Sequence, residues 1–464
     1  MKDDKQPSFS GQLGFVLAAA GSAVGLGNIW RFPYCAAKDG GGIFLLVYLI
    51  ITLTFGFAML TTEISVGRKM KKSTIMSYTG LKKSWRFIGY LGCIVPFIIF
   101  PYYCVIGGWV LKYLLAFLCG SNVAAADGKY FGSFITSVAD PIVMTAIFFL
   151  ATAYIVYRGV NSGIESCSRY MMPLLILFIL AIAGYSLTLS HTADGVTRTA
   201  LQGLSFCIVP NLDGLTGSRL LNIILDAVGQ SFYSISVAMG IMVTYGAYMR
   251  DDNDLTASVD QIAFFDTLVA FMAAIMILPA VFVFVGPEGL KASGPGLIFV
   301  MLPKIFLAMG DIGRFIGILF FALVFFAAIT SSVSLMEAVV ANLMECTGIS
   351  RSSAVRWETV VGFIIAVIVC LGYNYFYFEF PMLNGSKAQI LDLLDYLSNN
   401  LLMPLTGIFT CLLIGWVLGP EVIISEAVKN GESFARKPMY IAMVKYIAPV
   451  MLTVLLIYST GLLS

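Results

Sequence analysis

Asn28 and Arg31 lie in the stretch Gly21-Ser22-Ala23-Val24-Gly25-Leu26-Gly27-Asn28-Ile29-Trp30-Arg31-Phe32-Pro33, inside an apolar segment from about Gln12 to Ala37. An amide, a guanidinium and three glycines make a poor lipid-facing span, because glycine weakens a helix at that depth. Lipid offers no hydrogen bonds, so any backbone group freed here must find a partner inside the protein. A bound ion and a polar ligand would be such partners. The pair Gly21 and Gly25 also fits a close helix-packing motif, although a packing face has no use for an intramembrane cation.

A second group gathers at Gln230, Ser231, Ser234, Ser236 and Gly240. Serines can bond their own helix, but this density of polar and glycine positions favours an interruption. Tyr102 and Tyr103 follow Pro101, where a phenol could donate to an anion. Thr330, Ser331 and Ser332 supply hydroxyl oxygens of the kind hard cations take. Asp266 and Glu63 sit within apolar runs, and Asp392 and Asp395 lie one turn apart. Each could be a satisfied structural group. Their common depth favours a site.

The elements that must position these residues follow from composition. The chain is 59% hydrophobic and 12% charged, with a mean hydropathy of +0.90, which marks a polytopic membrane protein whose spans face lipid. The net charge of +2 comes with no basic, aromatic-interleaved patch, so nucleic acid is not expected as a partner. Nine scattered cysteines and the single His191 give no zinc or redox motif. Met1 to Ser10 lacks the features of a signal peptide. The hydropathy pattern predicts eleven helices, near 12–37, 41–67, 87–119, 140–157, 170–190, 222–249, 258–286, 312–345, 357–376, 389–418 and 440–463. The 68–86 loop carries Arg68, Lys69, Lys71, Lys72, Lys82, Lys83 and Arg86, which puts it and the N-terminus in the cytoplasm. If spans 1–5 (12–190) and 6–10 (222–418) are halves, five spans each make them inverted repeats, with 440–463 additional. The interrupted first and sixth spans then occupy equivalent places and point to a midplane site.

These stretches resemble the neurotransmitter:sodium symporter family, Gly21–Pro33 its first-helix signature and Gly229–Gly240 its sixth-helix partner. The resemblance extends through Gly40-Gly41-Gly42, Glu63 with Gly67-Arg68, Tyr103, Gly294-Pro295-Gly296 and Phe326 to Ser332. It implies an all-α, leucine-transporter-like 5+5 inverted-repeat fold with helices 1 and 6 unwound. Two sodium sites are implied. One would take the carbonyls of Gly21, Val24 and Ala327 with the hydroxyls of Thr330 and Ser331. The other would take the Ala23 carbonyl, Asn28, Ser234, Asp266 and the substrate carboxylate. That carboxylate would also meet Tyr103 and the amides near Gly25 and Gly27. Ile99, Tyr233, Ser236, Met239, Ser332 and Leu335 would line the side-chain pocket. Arg31 and Asp395 would pair as an outer gate under the lid of Tyr233, and the 286–311 loop resembles the family's external flap.

Gly25 stands where amine transporters of the family place an acid, so the resemblance implies a substrate with its own carboxylate, an α-amino acid. The apolar pocket favours hydrophobic side chains, aliphatic or aromatic. Asp266 stands where a fixed carboxylate would make chloride unnecessary. At the inner gate, Lys5, Gln6 and Phe9 replace the family's Arg and Trp, leaving Lys5 to meet Glu345. Ala238 replaces a glycine and is expected to narrow the pocket. The missing twelfth helix and the short loop between spans three and four imply a bacterial inner-membrane protein. The expected function is therefore a sodium-coupled symporter working by alternating access. A binding or sensing protein with little transport is the alternative, and an intramembrane enzyme is disfavoured by the absence of HExxH and GxSxG.

Overall fold

The computed structural model describes residues 7–193, 195–210, 212, 215–291, 294–382 and 387–461. Among them, nine continuous helices are long and apolar enough to cross a membrane: Gly42–Met70, Lys83–Leu118, Ala139–Tyr157, Val160–Ser186, Leu255–Val285, Asp311–Thr347, Arg351–Leu371, Ile390–Leu418 and Lys437–Ser459. Two further spans are interrupted. Gln12–Ala23 and Gly27–Lys38 form a pair bent by 54°. Gly217–Ser234 and Ile241–Tyr248 are separated by Ile235–Gly240. The chain is thus an all-α polytopic membrane protein with the first and sixth spans unwound, as expected.

Large apolar side chains left exposed repeat at helical spacing, as at Val143, Ile147, Leu150 and Tyr154, or Val360, Ile364 and Ile368. These stripes are the lipid-facing surface, where exposure costs nothing because the solvent is hydrocarbon. The opposite faces pack into a core that includes Phe15, Phe44, Trp109 and Phe320. Glycines let the second span approach the second half of the sixth, Ile241–Tyr248. A Cβ on Gly67 would collide with the Val243 carbonyl, and one on Gly246 with the backbone of Ile64.

The fifth span departs from its expected start at 170, since its helical run begins at Val160. Glu165 lies on this extension, buried and paired with Arg169 at 2.6 Å while accepting the Ser10 amide at 2.9 Å. Two short hairpins, Ser190–Ala193 with Val196–Thr199 and Phe380–Pro381 with Lys387–Ala388, were not anticipated. The 286–311 connection folds as a turn at Pro287–Lys291 followed by the apolar helical segment Gly294–Ala308.

Candidate functional site

The first helix stops at Ala23 because Val24 turns to an extended conformation (φ −74°, ψ 98°). Carbonyls thereby lose their helical partners, and side chains from other spans take them up. The Ser22 carbonyl accepts from Ser236 Oγ at 3.0 Å and Ser331 Oγ at 3.1 Å. Ser331 also reaches the Val24 carbonyl at 3.4 Å, and Gln230 Nε2 donates to the Gly27 carbonyl at 3.1 Å.

The sixth span breaks where Ser236 (φ 55°) and Ala238 (φ 62°) adopt left-handed backbone, with Gly240 at φ 69°. Such a conformation costs a non-glycine residue about 1–3 kcal/mol and persists only where surroundings enforce it. Glu63 supplies the enforcement, its Oε1 accepting the Ala238 amide at 2.6 Å. Ala238 does not line the central cavity, so it strains the break instead of narrowing the pocket.

Between the breaks lies a set of oxygen donors suited to a hard cation. Asn28 Oδ1 accepts the Gly25 amide at 3.0 Å, and Asn28 Nδ2 donates to Asp266 Oδ1 at 2.8 Å. Ser234 Oγ donates to the same Asp266 oxygen at 2.5 Å. Tyr48, overlooked in the sequence, donates to Asp266 Oδ2 at 3.0 Å. The second expected set also converges. Thr330 Oγ1 donates to the Ala327 carbonyl at 3.2 Å, and Thr330 Cβ lies 3.4 Å from where a Gly21 Cβ would stand. Ser168 Oγ is equally near Gly21, a further hydroxyl that the sequence did not flag.

A cavity runs along both breaks. It is lined by ten of the expected contacts, Ala23, Gly25, Gly27, Ile99, Tyr103, Tyr233, Ser234, Ser236, Met239 and Leu335. Ser332 is the exception. Its hydroxyl turns away, bonded to the Ile329 carbonyl at 2.9 Å and to Thr152 at 2.8 Å. The cavity is met instead by Ser331, Ser334 and Leu335, one face of the helix. Ser22, Leu26 and Ile241 are lining residues the sequence reading missed. Ser22, Ser236 and Ser334 join hydroxyls across the cavity wall at 3.2 and 2.7 Å. Tyr103 accepts the Leu26 amide at 3.4 Å. A Cβ on Gly25 would lie 2.8 Å from Ser331 Oγ and 3.2 Å from the Tyr103 hydroxyl, so a larger residue there would displace the Ser331 hydroxyl.

The expected outer gate is not closed by an ion pair. Asp395 instead accepts from Tyr102 at 3.0 Å and Asn399 at 2.7 Å, and it forms no ion pair with Arg31 among the described residues. Arg31 lines a separate cavity of about 280 Å³ together with Asp226, Tyr233 and Asn399. At the other face, Lys5 lies outside the described residues. Glu345 accepts the Ser73 amide at 2.6 Å. Closure there comes from Phe9, buried edge-on against Tyr245 and Tyr248 with ring centroids 5.6 and 6.2 Å away. Tyr248 donates to Glu337 at 2.7 Å, and Glu337 pairs with Arg351. The buried acid at 337 was the signal for this network, since it required a cation nearby.

The profile of the sodium:neurotransmitter symporter family matches residues 6–124 and 133–463. An uncharacterized sodium-dependent transporter of Bacillus subtilis is 30% identical across the full length of both chains. One from Methanocaldococcus jannaschii is 28% identical over 92% of this chain and 85% of its own. The sodium- and chloride-dependent creatine transporter 1 of Homo sapiens is 22% identical over 89% of this chain and 71% of its own. The crystal structure of MhsT in complex with L-phenylalanine superposes with a TM-score of 0.85 at 34% identity, covering 98% of this chain and all of that one. With the broken helices and their oxygen-lined gap, these matches establish that the chain belongs to the sodium:neurotransmitter symporter family.

Proposed function

We propose that this protein carries hydrophobic L-amino acids, aliphatic or aromatic, by sodium symport without a need for chloride, through alternating access of one central site. The observation that carries the reading is the meeting of Asn28, Ser234 and Asp266 beside a cavity walled by Tyr103 and the unwound backbone. One sodium ion would sit among Ala23, Asn28, Ser234 and Asp266, and a second among Gly21, Val24, Ala327, Thr330 and Ser331. The substrate carboxylate would complete the shell of the first ion while bonding Tyr103 and the amides near Gly25 and Gly27. Ion and solute then each improve the other's affinity, which is the coupling free energy of symport.

Three observations support the substrate class. Position 25 is a glycine and supplies no carboxylate, which supports a ligand that brings its own. Ile99, Met239 and Leu335 give an apolar wall, and methionine adapts its shape readily. MhsT, similar over nearly the whole chain, binds L-phenylalanine. Asp266 supplies a fixed negative charge, and its three donors are already engaged, which favours chloride independence. Residues 12–190 and 222–418 would be the inverted repeats. The basic 68–86 loop supports an N-terminus on the cytoplasmic side of a bacterial inner membrane. Arg31, Asp395 and Tyr233 would close the outer side, and Lys5 with Glu345 would contribute inside. Uptake of a panel of radiolabelled amino acids into proteoliposomes tests the reading. Accumulation driven by an inward sodium gradient is expected, and saturable binding without accumulation would favour a sensor.

A further inference from the structure

The ninth span, Arg351–Leu371, is 21 residues long, about 31 Å of helix, which matches a hydrocarbon core of about 30 Å. Its exposed large side chains come in a fixed order: Trp357 first, then the aliphatic Val360, Ile364 and Ile368. Past the end of the helix follows the run Tyr375-Phe376-Tyr377-Phe378-Glu379-Phe380. All five of its rings are exposed, by 42% to 77%. Apolar surface gathered in this way marks a contact site, because single exposed side chains are ordinary and contiguous ones are not.

The backbone holds these rings outward. Tyr373, just before the run, turns inward and packs edge-on against Trp109 with ring centroids 5.8 Å apart. Asn374 Nδ2 donates to the Ser137 carbonyl at 3.2 Å, which ties the segment to the connection between the third and fourth spans. The Phe376 amide donates to the Leu371 carbonyl at 2.9 Å, and Phe380–Pro381 pairs with Lys387–Ala388. The single acid of the run is already matched, since Glu379 accepts from the Tyr377 hydroxyl at 3.0 Å and pairs with Lys387. The rings are therefore presented from a pinned backbone with no unbalanced charge among them.

We propose that residues 375–380 lie at the boundary between hydrocarbon and water, where lipid headgroups and the adjoining acyl chains cover the five rings and fix the depth of the ninth span. The surface is continuous with the lipid-facing stripe of Val360, Ile364 and Ile368 on the same span. Aromatic groups favour that boundary, and the tyrosines most, because the ring sits among acyl chains while the hydroxyl stays wet. Trp357 stands at the opposite end of the stripe, so aromatic side chains bracket an aliphatic one, the order that a bilayer imposes. The ninth span packs on the third, fourth and eighth, none of them interrupted. Anchoring it would steady that frame while the broken spans move. This consequence rests on the proposed alternating access; the lipid contact does not, and it is the same whichever leaflet the segment meets.

The test uses the full chain in vesicles of phosphatidylethanolamine and phosphatidylglycerol and measures no transport, so its outcome is independent of the proposed function. Cys93, Cys119, Cys167 and Cys346, which are not buried, are changed to serine. A nitroxide is then attached at Phe376→Cys and, in a second protein, at Phe378→Cys. Ile368→Cys on the lipid-facing stripe and Lys129→Cys in an exposed connection serve as references. Collision of each label with oxygen, which concentrates in hydrocarbon, is compared with collision with a water-soluble nickel chelate. The ratio of oxygen to nickel at 376 and 378 is expected several-fold above that at 129 and below that at 368, the signature of a boundary position. A ratio equal to that at 129 means that the rings stand in water and overturns the proposal. Low collision with both reagents means that protein covers them, a second copy of this chain or another partner, and overturns it equally.

Discussion

Asn28 joins the break of the first span to the continuous helix Leu255–Val285 through one amide: its Oδ1 holds the Gly25 backbone at 3.0 Å while its Nδ2 holds Asp266 at 2.8 Å. Removing it leaves a buried carboxylate short of a donor and a broken helix short of an acceptor. Asn28→Ala should weaken sodium and amino-acid binding together, each by about tenfold or more, because hydrogen bonds to charged groups are worth about 1.5–3 kcal/mol. Thermal stabilisation by amino acid, titrated at several sodium concentrations, measures both. Unchanged solute binding at unchanged sodium affinity would sink the shared-shell account.

Asp266 makes a second prediction. Its oxygens accept from Asn28, Ser234 and Tyr48, so the donors that a chloride ion would need are taken. Uptake in sodium gluconate should equal uptake in sodium chloride. Asp266→Asn removes the charge while keeping the shape, and should lose sodium-driven uptake in gluconate by about tenfold or more. Loss of wild-type uptake on chloride removal contradicts the prediction.

Neighbouring serines should behave differently. Ser331 Oγ faces the carbonyls of Ser22 and Val24, whereas Ser332 Oγ faces Thr152 on another span. Ser331→Ala is expected to raise the sodium concentration needed for half-maximal uptake several-fold. Ser332→Ala should leave that value unchanged and lower stability by about 1 kcal/mol, the worth of one buried hydrogen bond. The reverse pattern would mean that the helix is rotated.

That pair shows what the sequence could and could not disclose. Asn28, Asp266 and the serines of the sixth span stand out because polar groups in apolar runs are rare. Among Thr330, Ser331 and Ser332, consecutive positions turn by a hundred degrees, so proximity in sequence says little about which one meets the cavity. Ser334 and Leu335, three and four residues beyond Ser331, fix the phase only once the neighbouring span is in place. Tyr48 stayed hidden because an aromatic in an apolar span gives no polar signal until its hydroxyl partner is known. Arg31 and Asp395 were identifiable as a charge pair, yet Tyr102 and Asn399 hold the acid and leave the arginine to the adjoining cavity.

Ala238 gives the last prediction. Its φ of 62° is one that glycine adopts freely, and Glu63 fixes its amide at 2.6 Å. Ala238→Gly releases the strain of a left-handed alanine, partly offset by the greater freedom of glycine in the unfolded chain. Net stabilisation of up to about 1 kcal/mol is expected, read as a rise in melting temperature. Because residue 238 is not on the cavity wall, affinity for small and large amino acids should change by the same factor. A selective gain for aromatic substrates would show that the alanine narrows the pocket after all, and that the side-chain wall extends further into the break than Met239.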